Sequence, residues 1–497
     1  MLKKLSVSFK KRLWNKLFSE PAPKPTIQDK KQIQKTYMFW HNSILITLYI
    51  SCIVTYLGCK NFNIAMPFME SMIGITSEDQ GLILAIASTI YGIGKFIHWI
   101  SVDKKSVRKL LPINLILANG STLMISFTPL IYKYYHPSHN ITVIYMCLFF
   151  GANSWFQSAI FPFCIKSLIS WFPNSTRSTW WARWFTSRKL GAFLALNFTA
   201  LVARSFDNHG FEAIFIFPFI IAFIVGIIGF FTLRDRPVSI GLPDVEEIYG
   251  TKRETLSERK QEERDQELNA TYFQILKKYV LKNKIMWYLG LIYFCVYIFR
   301  TGPIDWIFKL LIGDDHKATS LETLDQFAAF KTSMLSVVGF LGVFFAPVIS
   351  EKLFKGNRFL SNFWCLFIGS LSMIGIWFGT SSFSPFYNNE ILKNIIIFIS
   401  LCVAGFMICI PHVSISGICA VESSSNQVAA AASGFIGLFG YFGYSFGRFF
   451  SGKILSKSML FYNDSRLLLL FWGIIALIGA LLCIPLWNVK ANKEYSH

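Results

Sequence analysis

The sequence has little charge for its length. Only 15% of its 497 residues are Asp, Glu, Lys or Arg, while 53% are hydrophobic and 50 are phenylalanine. A soluble protein of this size would carry more charge, and repeated apolar runs of 18 or more residues are typical of helices that span a membrane. The composition therefore excludes a soluble globular protein and predicts an all-α polytopic membrane protein.

Acidic residues are scarcer than basic ones, and the formal net charge is +20. The basic residues crowd into short polar segments at the N-terminus, at 103–109 and after Trp487. Because Lys and Arg accumulate in cytoplasmic loops, this distribution indicates membrane topology and no nucleic-acid binding. The segment MLKKLSVSFKKRLWNKLF is either an amphipathic helix on the inner leaflet or a disordered basic tail.

Motifs of catalysis and metal binding are also lacking. The ten cysteines form no CxxC pair and no Cys/His cluster of zinc spacing. No glycine-rich phosphate loop follows a strand, and no nucleophile–base pair is recognisable. We therefore expect no cofactor, no metal and no enzymatic activity, and we interpret the cysteines as small packing residues.

Twelve apolar spans fall into two sets of six, separated by a polar stretch rich in both signs of charge. We predict spans near 42–66, 80–102, 109–132, 142–169, 178–203, 211–233, 285–310, 328–351, 359–380, 391–418, 426–450 and 465–488. The predicted domains are a basic N-terminal segment (1–41), a six-helix half (42–233), a charged linker (234–284), a second six-helix half (285–488) and a tail (489–497). The even span count and the basic ends predict cytoplasmic termini. This layout resembles that of major facilitator transporters, whose substrate site lies between the halves near the midplane.

Basic residues recur inside the apolar spans. A charge at the centre of a helix in lipid costs on the order of 3 kcal/mol, so such residues usually face a cavity or a partner. The deep cations are Lys60, Lys95, Arg183, Arg188, Lys189 and Arg300, and Asp305 is the clearest deep acid. This excess of buried positive charge predicts an anionic ligand, and arginine is well suited to phosphate or carboxylate.

Other interpretations of these charges remain open. Lys60 and Lys95 could snorkel to the two membrane surfaces, and Arg183 is close enough to the start of its span to be an interfacial anchor. Arg300 could be a structural partner of Asp305, which follows it beyond the helix break that we predict at the Gly–Pro pair 302–303. Arg188 and Lys189 could each face either the cavity or a neighbouring helix.

Tyrosines accompany several of the cations at helical spacing. Tyr56 precedes Lys60 by four residues, Tyr91 precedes Lys95 by four, and Tyr297 lies three before the span-7 arginine. Residues three or four apart share a helix face, and a tyrosine hydroxyl can donate to a bound anion.

Span 11 carries a stripe of glycines that suits either a moving helix or close static packing: Gly434, Gly437, Gly440, Gly443 and Gly447.

Several motifs, in chain order, resemble the organophosphate:phosphate antiporter family. They are KNFNIAMPF, YGIGKFI, RDRPVSIGLPDVEEI, FRTGPIDW, FKGNR and GFIGLFGYFG. The resemblance implies a monomer in the bacterial inner membrane that exchanges a sugar or glycerol phosphate for inorganic phosphate by alternating access. It also implies that the phosphate is held by Arg300 and that Lys95, Tyr56, Tyr91, Tyr297 and Tyr441 line the cavity.

The sequence departs from this family directly before KNFNIAMPF, the first of these motifs. The family has an arginine directly before the span-1 lysine, where this chain has Cys59–Lys60. The family's span-5 histidine falls on Arg188, and a span-8 glutamate falls on Ser336. Our hypothesis is that Lys60 or Arg188 replaces the missing arginine, although a lysine cannot reproduce its bidentate bond.

Two further functions stay open. Because the family includes a hexose-phosphate receptor, the chain could be a membrane sensor whose partner is a histidine kinase. The altered clamp would equally suit a transporter of a different organic anion, such as a carboxylate or a siderophore. In each case the expected ligand is a small anion and the expected surroundings are the lipid bilayer.

Overall fold

A computed structural model of the protein describes residues 21, 24, 27, 29–102, 105–206, 209–249, 280–312, 326–380, 389–420, 423, 429–461 and 466–487. The described residues are almost entirely helical. The basic segment for which an amphipathic helix was one interpretation lies outside the described residues, as does most of the charged linker.

The described residues contain twelve helices of fifteen residues or more, numbered here in chain order. They are α1 Lys30–Ile73, α2 Ser77–Ser101, α3 Val107–Ser126, α4 His139–Trp171, α5 Asn174–Ser205, α6 Gly210–Thr232, α7 Lys284–Ile312, α8 Gln326–Val348, α9 Arg358–Thr380, α10 Glu390–Val413, α11 Ala429–Phe461 and α12 Leu467–Leu481. The bundle has a terminal face, where α1 begins and α12 ends, and a far face at its opposite end. The first and eleventh helices extend well past the predicted spans.

Local signals in the sequence define the turn between α1 and α2. The first helix ends at Gly74, whose φ of 65° is the left-handed conformation that glycine adopts without strain. The next begins with a capping box, in which the Thr76 hydroxyl accepts from the Asp79 N–H and the Asp79 carboxylate accepts from the Thr76 N–H. The connection between the two helices is therefore short.

The helix contacts repeat after six helices. In the first half, α1 packs on α5 and α6, α2 packs on α4, and α3 packs on α4 and α6. In the second half, α7 packs on α11 and α12, α8 packs on α10, and α9 packs on α10 and α12. Between the halves the main contacts join α2 to α11 and α5 to α8, which are equivalent under the same repeat. The predicted arrangement of two six-helix halves is thus confirmed.

Ten of the twelve long helices are long and apolar enough to cross a membrane. The other two, α5 and α11, both lie at the contacts between the halves. Helices that face protein and a polar cavity need less apolar surface than helices that face lipid.

The residues before α1 pair with the chain that follows α6. The N–H of Lys24 donates to the carbonyl of Val238 at 3.0 Å, and that of Ile27 donates to Gly241 at 2.8 Å. These bonds hold the beginning of the linker against the terminal face of the first half.

Candidate functional site

A cavity of about 380 Å³ lies between the two halves. Its described lining comes from α1, α2, α4 and α5 of the first half and from α7, α8, α10 and α11 of the second. These are the same four positions in each six-helix repeat, so the cavity lies on the axis that relates the halves.

All eight candidate site residues from the sequence line this cavity: Lys60, Lys95, Arg188, Arg300, Tyr56, Tyr91, Tyr297 and Tyr441. Lys189 lines it as well. Arg183 is exposed and its guanidinium lies 4.4 Å from the ring of Trp180, which fits its interpretation as an interfacial anchor.

The lining is strongly basic. Among the described residues it contains six Lys or Arg side chains and one carboxylate, that of Asp305. The cations are Lys60, Lys95, Arg188, Lys189, Arg300 and Arg448. Charges of one sign in a low-dielectric cleft raise the local concentration of the opposite ion, so the cavity favours anions.

Asp305 binds two of these cations at once. The Lys60 ammonium lies 2.6 Å from one carboxylate oxygen, and the Arg448 Nε lies 2.7 Å from the other. Asp305 is only 1% exposed, and the amide of Asn63 adds a bond of 3.3 Å. Lys60 therefore does not snorkel, and the alternative pairing of Arg300 with Asp305 is wrong because other cations occupy both oxygens.

Arg448 is a site residue that the sequence analysis missed. Besides Asp305 it binds the α2 carbonyl of Leu84 and the hydroxyl of Ser88, and its guanidinium lies 4.0 Å from the ring of Tyr444. The signal was present, because Tyr444 precedes it by four residues, the spacing that marks two other cations. It was missed because the predicted span ended at 450, whereas α11 continues to Phe461 and places Arg448 in its interior.

Arg188 and Lys95 form a basic wall of the cavity in the first half. The guanidinium of Arg188 lies 5.1 Å and the ammonium of Lys95 lies 5.3 Å from the same ring, that of Phe161. Arg188 Nε donates to the hydroxyl of Tyr56 at 3.1 Å, and Lys95 donates to that of Tyr441 at 2.7 Å. Lys95 therefore points into the cavity, and its interpretation as a snorkelling residue is wrong.

Arg300 faces this wall from the second half. Its guanidinium lies 5.7 Å from the ring of Tyr297, and its Nε is buried and has no hydrogen-bond partner in the described part of the chain. The ring of Tyr297 lies 6.1 Å from that of Tyr441, the partner of Lys95. The predicted break after this arginine is absent, since α7 runs through Pro303 as one helix.

Lys189 lies on a third side of the cavity. Its ammonium is 3.5 Å from the thiol of Cys409 on α10, one turn before His412. His412, also missed from the sequence, contacts the hydroxyl of Tyr293 at 3.2 Å and lies within electrostatic reach of four of the lining cations. The signal in the sequence that could have identified it is a histidine inside an apolar span.

Polar contacts between the halves close the far side of the cavity. Lys309 on α7 binds Glu70 at 2.8 Å, Ser77 at 2.8 Å and Gln80 at 3.1 Å. Beside it, α2 and α11 touch at two glycines, because a Cβ on Gly81 would lie 2.9 Å from the Cα of the facing Gly452. These contacts therefore hold the two halves together at the far face.

Comparisons with known proteins agree with this geometry. The model of the Major Facilitator Superfamily matches residues 48–448. The chain is 30% identical to a probable hexose phosphate transport protein of Chlamydia trachomatis, over 98% of this chain and 100% of the relative. It is 30% identical to the membrane sensor protein UhpC of Salmonella typhimurium (95% and 98%) and 29% identical to the hexose-6-phosphate:phosphate antiporter of Escherichia coli (89% and 89%).

Solved structures share the fold at low sequence identity. An inward-facing, unoccupied bacterial homolog of the lysosomal transporter Spinster superposes with a TM-score of 0.68 at 13% identity, over 92% of this chain and 98% of that one. The inward-open xylose transporter XylE of Escherichia coli superposes with a TM-score of 0.63 at 13% identity, over 92% and 99%.

Proposed function

Because this chain belongs to the major facilitator superfamily and, within it, to the organophosphate:phosphate antiporters, we propose that it exchanges a sugar or glycerol phosphate for inorganic phosphate. The observation that carries the proposal is the meeting of Arg188 and Lys95 from one half with Arg300 from the other, around a cavity where none of the three has a carboxylate partner among the described residues. A phosphate group between the halves would supply the missing negative charge.

Arg188 is the residue that replaces the family's span-1 arginine. Of the two candidates, Lys60 is held at 2.6 Å by Asp305, whereas Arg188 has no carboxylate partner among the described residues and donates to the hydroxyl of Tyr56. A guanidinium also offers the planar fork that binds two phosphate oxygens, which an ammonium does not.

The neighbouring tyrosines are oriented to donate to the anion. The hydroxyl oxygens of Tyr56 and Tyr441 accept hydrogen bonds from Arg188 and Lys95. Each hydroxyl proton is therefore free to point at a bound phosphate oxygen. The cations thus act twice, by their own charge and by orienting a neutral donor.

Transport then follows from the two-half architecture. An anion that bridges the halves offsets like charges that would otherwise repel each other, and the halves rock around it to open one face and close the other. The substrate gradients drive this exchange without ATP. The two gates of this exchange are the far face, which is closed in this structure, and the terminal face.

The protein is a multi-pass membrane protein, and we propose that it lies in a bacterial inner membrane with both termini cytoplasmic. The basic N-terminus and tail support this orientation by the positive-inside rule. The far face is then extracytoplasmic, and the described state is closed to the outside. We further propose that the protein acts as a monomer with the domain boundaries expected from the sequence.

Reconstitution tests the exchange. Purified protein in liposomes loaded with phosphate should take up labelled phosphate, glycerol 3-phosphate or glucose 6-phosphate only when internal phosphate is present. Arg300→Lys and Arg188→Gln should each lower this uptake by roughly tenfold or more, since each removes a charged hydrogen bond of about 1.5–3 kcal/mol. The exposed Arg183→Gln is the matched control and should keep the wild-type rate. Uptake that is equal with and without internal phosphate, or that keeps the wild-type rate in both Arg300→Lys and Arg188→Gln, would refute the exchange mechanism.

A membrane sensor is the second candidate, because the chain is as similar to a sensor protein as to a transport protein, at 30% identity in both cases. A sensor would bind the phosphate ester through the same cations, pass the signal to a histidine kinase, and show little exchange. Phosphate-ester binding to the purified protein without uptake in the liposome assay would therefore favour the sensor.

A further inference from the structure

We propose that the transported phosphate ester carries a second anionic group, a carboxylate or another phosphate, and that Lys189 binds it. This inference rests on the proposed exchange of phosphate esters and narrows its substrate class. It depends on the charges of the cavity and on the direction in which Lys189 points.

The cavity offers more positive charge than one phosphate can offset. Four lining cations have no carboxylate partner among the described residues: Lys95, Arg188, Lys189 and Arg300. A phosphate monoester brings a charge of about −1.5 to −2 at pH 7, which leaves roughly two cations uncompensated. A carboxylate is ionised at this pH and adds one more negative charge.

The side chain of Lys189 points away from the basic wall formed by Arg188 and Lys95. Successive residues of an α-helix project about 100° apart, and the two adjacent cations of α5 follow this rule. Arg188 reaches Tyr56 on α1, whereas Lys189 reaches Cys409 on α10 of the other half. A phosphate held by Arg188 and Lys95 therefore leaves Lys189 at another wall, where a second group of the same ligand can reach it.

Among the described residues, no carboxylate is paired with Lys189. Its partner is the thiol of Cys409, which is a weak acceptor. On α8 it faces Gly339, where even a Cβ would lie 3.6 Å from the ammonium, and the nearby cavity residue of that helix is Ser336. An ammonium kept at the wall of a membrane cavity without a carboxylate partner is costly unless a ligand or water compensates it.

The described lining has few amides and carboxylates. Gln157 is the only side-chain amide of the described lining, and its NH₂ donates to the backbone carbonyl of Thr55. The only carboxylate, Asp305, already binds two cations. The described lining therefore presents no free carboxylate that would repel a second anionic group of the ligand.

Two matched probes test the proposal. Glycerol 3-phosphate and 3-phosphoglycerate share three carbons and one phosphate and differ by a carboxylate in place of an alcohol. Each is measured as a competitor of phosphate self-exchange by the full chain in phosphate-loaded liposomes. We expect 3-phosphoglycerate to compete roughly tenfold or more better, the scale of one charge-assisted hydrogen bond.

Variants then assign the second subsite. In Lys189→Gln the ratio of the two affinities should fall to within about threefold, while Lys189→Arg, which keeps the charge, should retain most of it. Arg183→Gln removes a cation from the same helix outside the cavity and should leave the ratio unchanged. The ratio is the readout, because a general loss of folded protein lowers both affinities alike.

The outcomes separate this proposal from the one on which it rests. Self-exchange without a preference for 3-phosphoglycerate, or a preference that Lys189→Gln does not alter, overturns the second subsite alone. The absence of self-exchange in the wild type overturns both proposals.

Discussion

Asp305 compensates two cations that come from different helices. Lys60 on α1 and Arg448 on α11 bind separate oxygens of its carboxylate, and all three side chains are buried. Removing the acid therefore leaves two buried cations, whereas removing the lysine leaves the pair of Asp305 and Arg448 intact. The two deletions should differ in their consequences although they break the same bond.

We predict that Asp305→Asn destabilises the protein more than Lys60→Met does. The triad of Lys60, Asp305 and Arg448 carries a net charge of +1. Asp305→Asn raises this to +2, whereas Lys60→Met leaves the neutral pair of Asp305 and Arg448, and an uncompensated buried charge costs about 3–5 kcal/mol. Thermal unfolding of the purified variants in detergent measures the difference in Tm. Equal losses, or a larger loss in Lys60→Met, would contradict the compensation of both cations by one carboxylate.

At the scale of elements, the glycines of α11 serve two different contacts. Gly440, Gly443 and Gly447 face α7 of the same half, where a Cβ on Gly447 would lie 3.1 Å from the Cα of Ile298. Gly452 instead faces Gly81 on α2, across the boundary between the halves. The predicted stripe is thus mainly static packing within a half, and the contact that alternating access must break lies one turn beyond it.

A bulky residue at Gly452 should open the far face. We predict that Gly452→Leu shifts the population of the carrier towards the state open at that face, since α2 and α11 can no longer touch there. In a background with Cys409 as the one cysteine, a membrane-impermeant thiol reagent applied from the far side should label the cavity faster. Gly434→Leu on the same helix is the matched control, because nothing lies within 4 Å of its Cβ position. Equal labelling of the two variants would show that this contact does not gate the cavity.

At the scale of the whole molecule, the cavity is a basic site shared by two halves. Four lining cations have no carboxylate partner among the described residues, and they come from both halves: Lys95, Arg188 and Lys189 from the first and Arg300 from the second. An anion bound between them joins the halves and replaces repulsion by attraction. Ligand that binds only the folded protein stabilises it in proportion to the logarithm of its concentration.

We therefore predict that phosphate raises the Tm of the purified protein. At a concentration of about 100 times Kd, the stabilisation amounts to about 2.7 kcal/mol. Chloride at the same ionic strength should have a smaller effect, and Arg300→Lys should lose most of the phosphate effect while Arg183→Gln keeps it. An equal response to phosphate and chloride would mean that the cavity has no specific anion site.

Much of the fold could be predicted from the sequence because its signals are local. A helix in lipid must be apolar over about 20 residues, so span positions follow from composition alone. The same rule made the deep cations conspicuous, and the structure places Lys60, Lys95, Arg188 and Arg300 at one cavity. It failed for Arg448, whose span was predicted to end too early, since the polar surface of α11 hides its length.

The sequence by itself determined the class of protein, the twelve spans in two halves and the excess of cations within them, because each follows from the cost of polar groups in lipid. Only the tertiary structure decided which cations are compensated. Lys60 and Asp305 are 245 residues apart in the chain, and the carboxylate that holds Lys60 could as easily have held Arg300 on sequence spacing alone. Ion pairs depend on distances of a few ångströms between helices, and those distances are set by packing across the two halves.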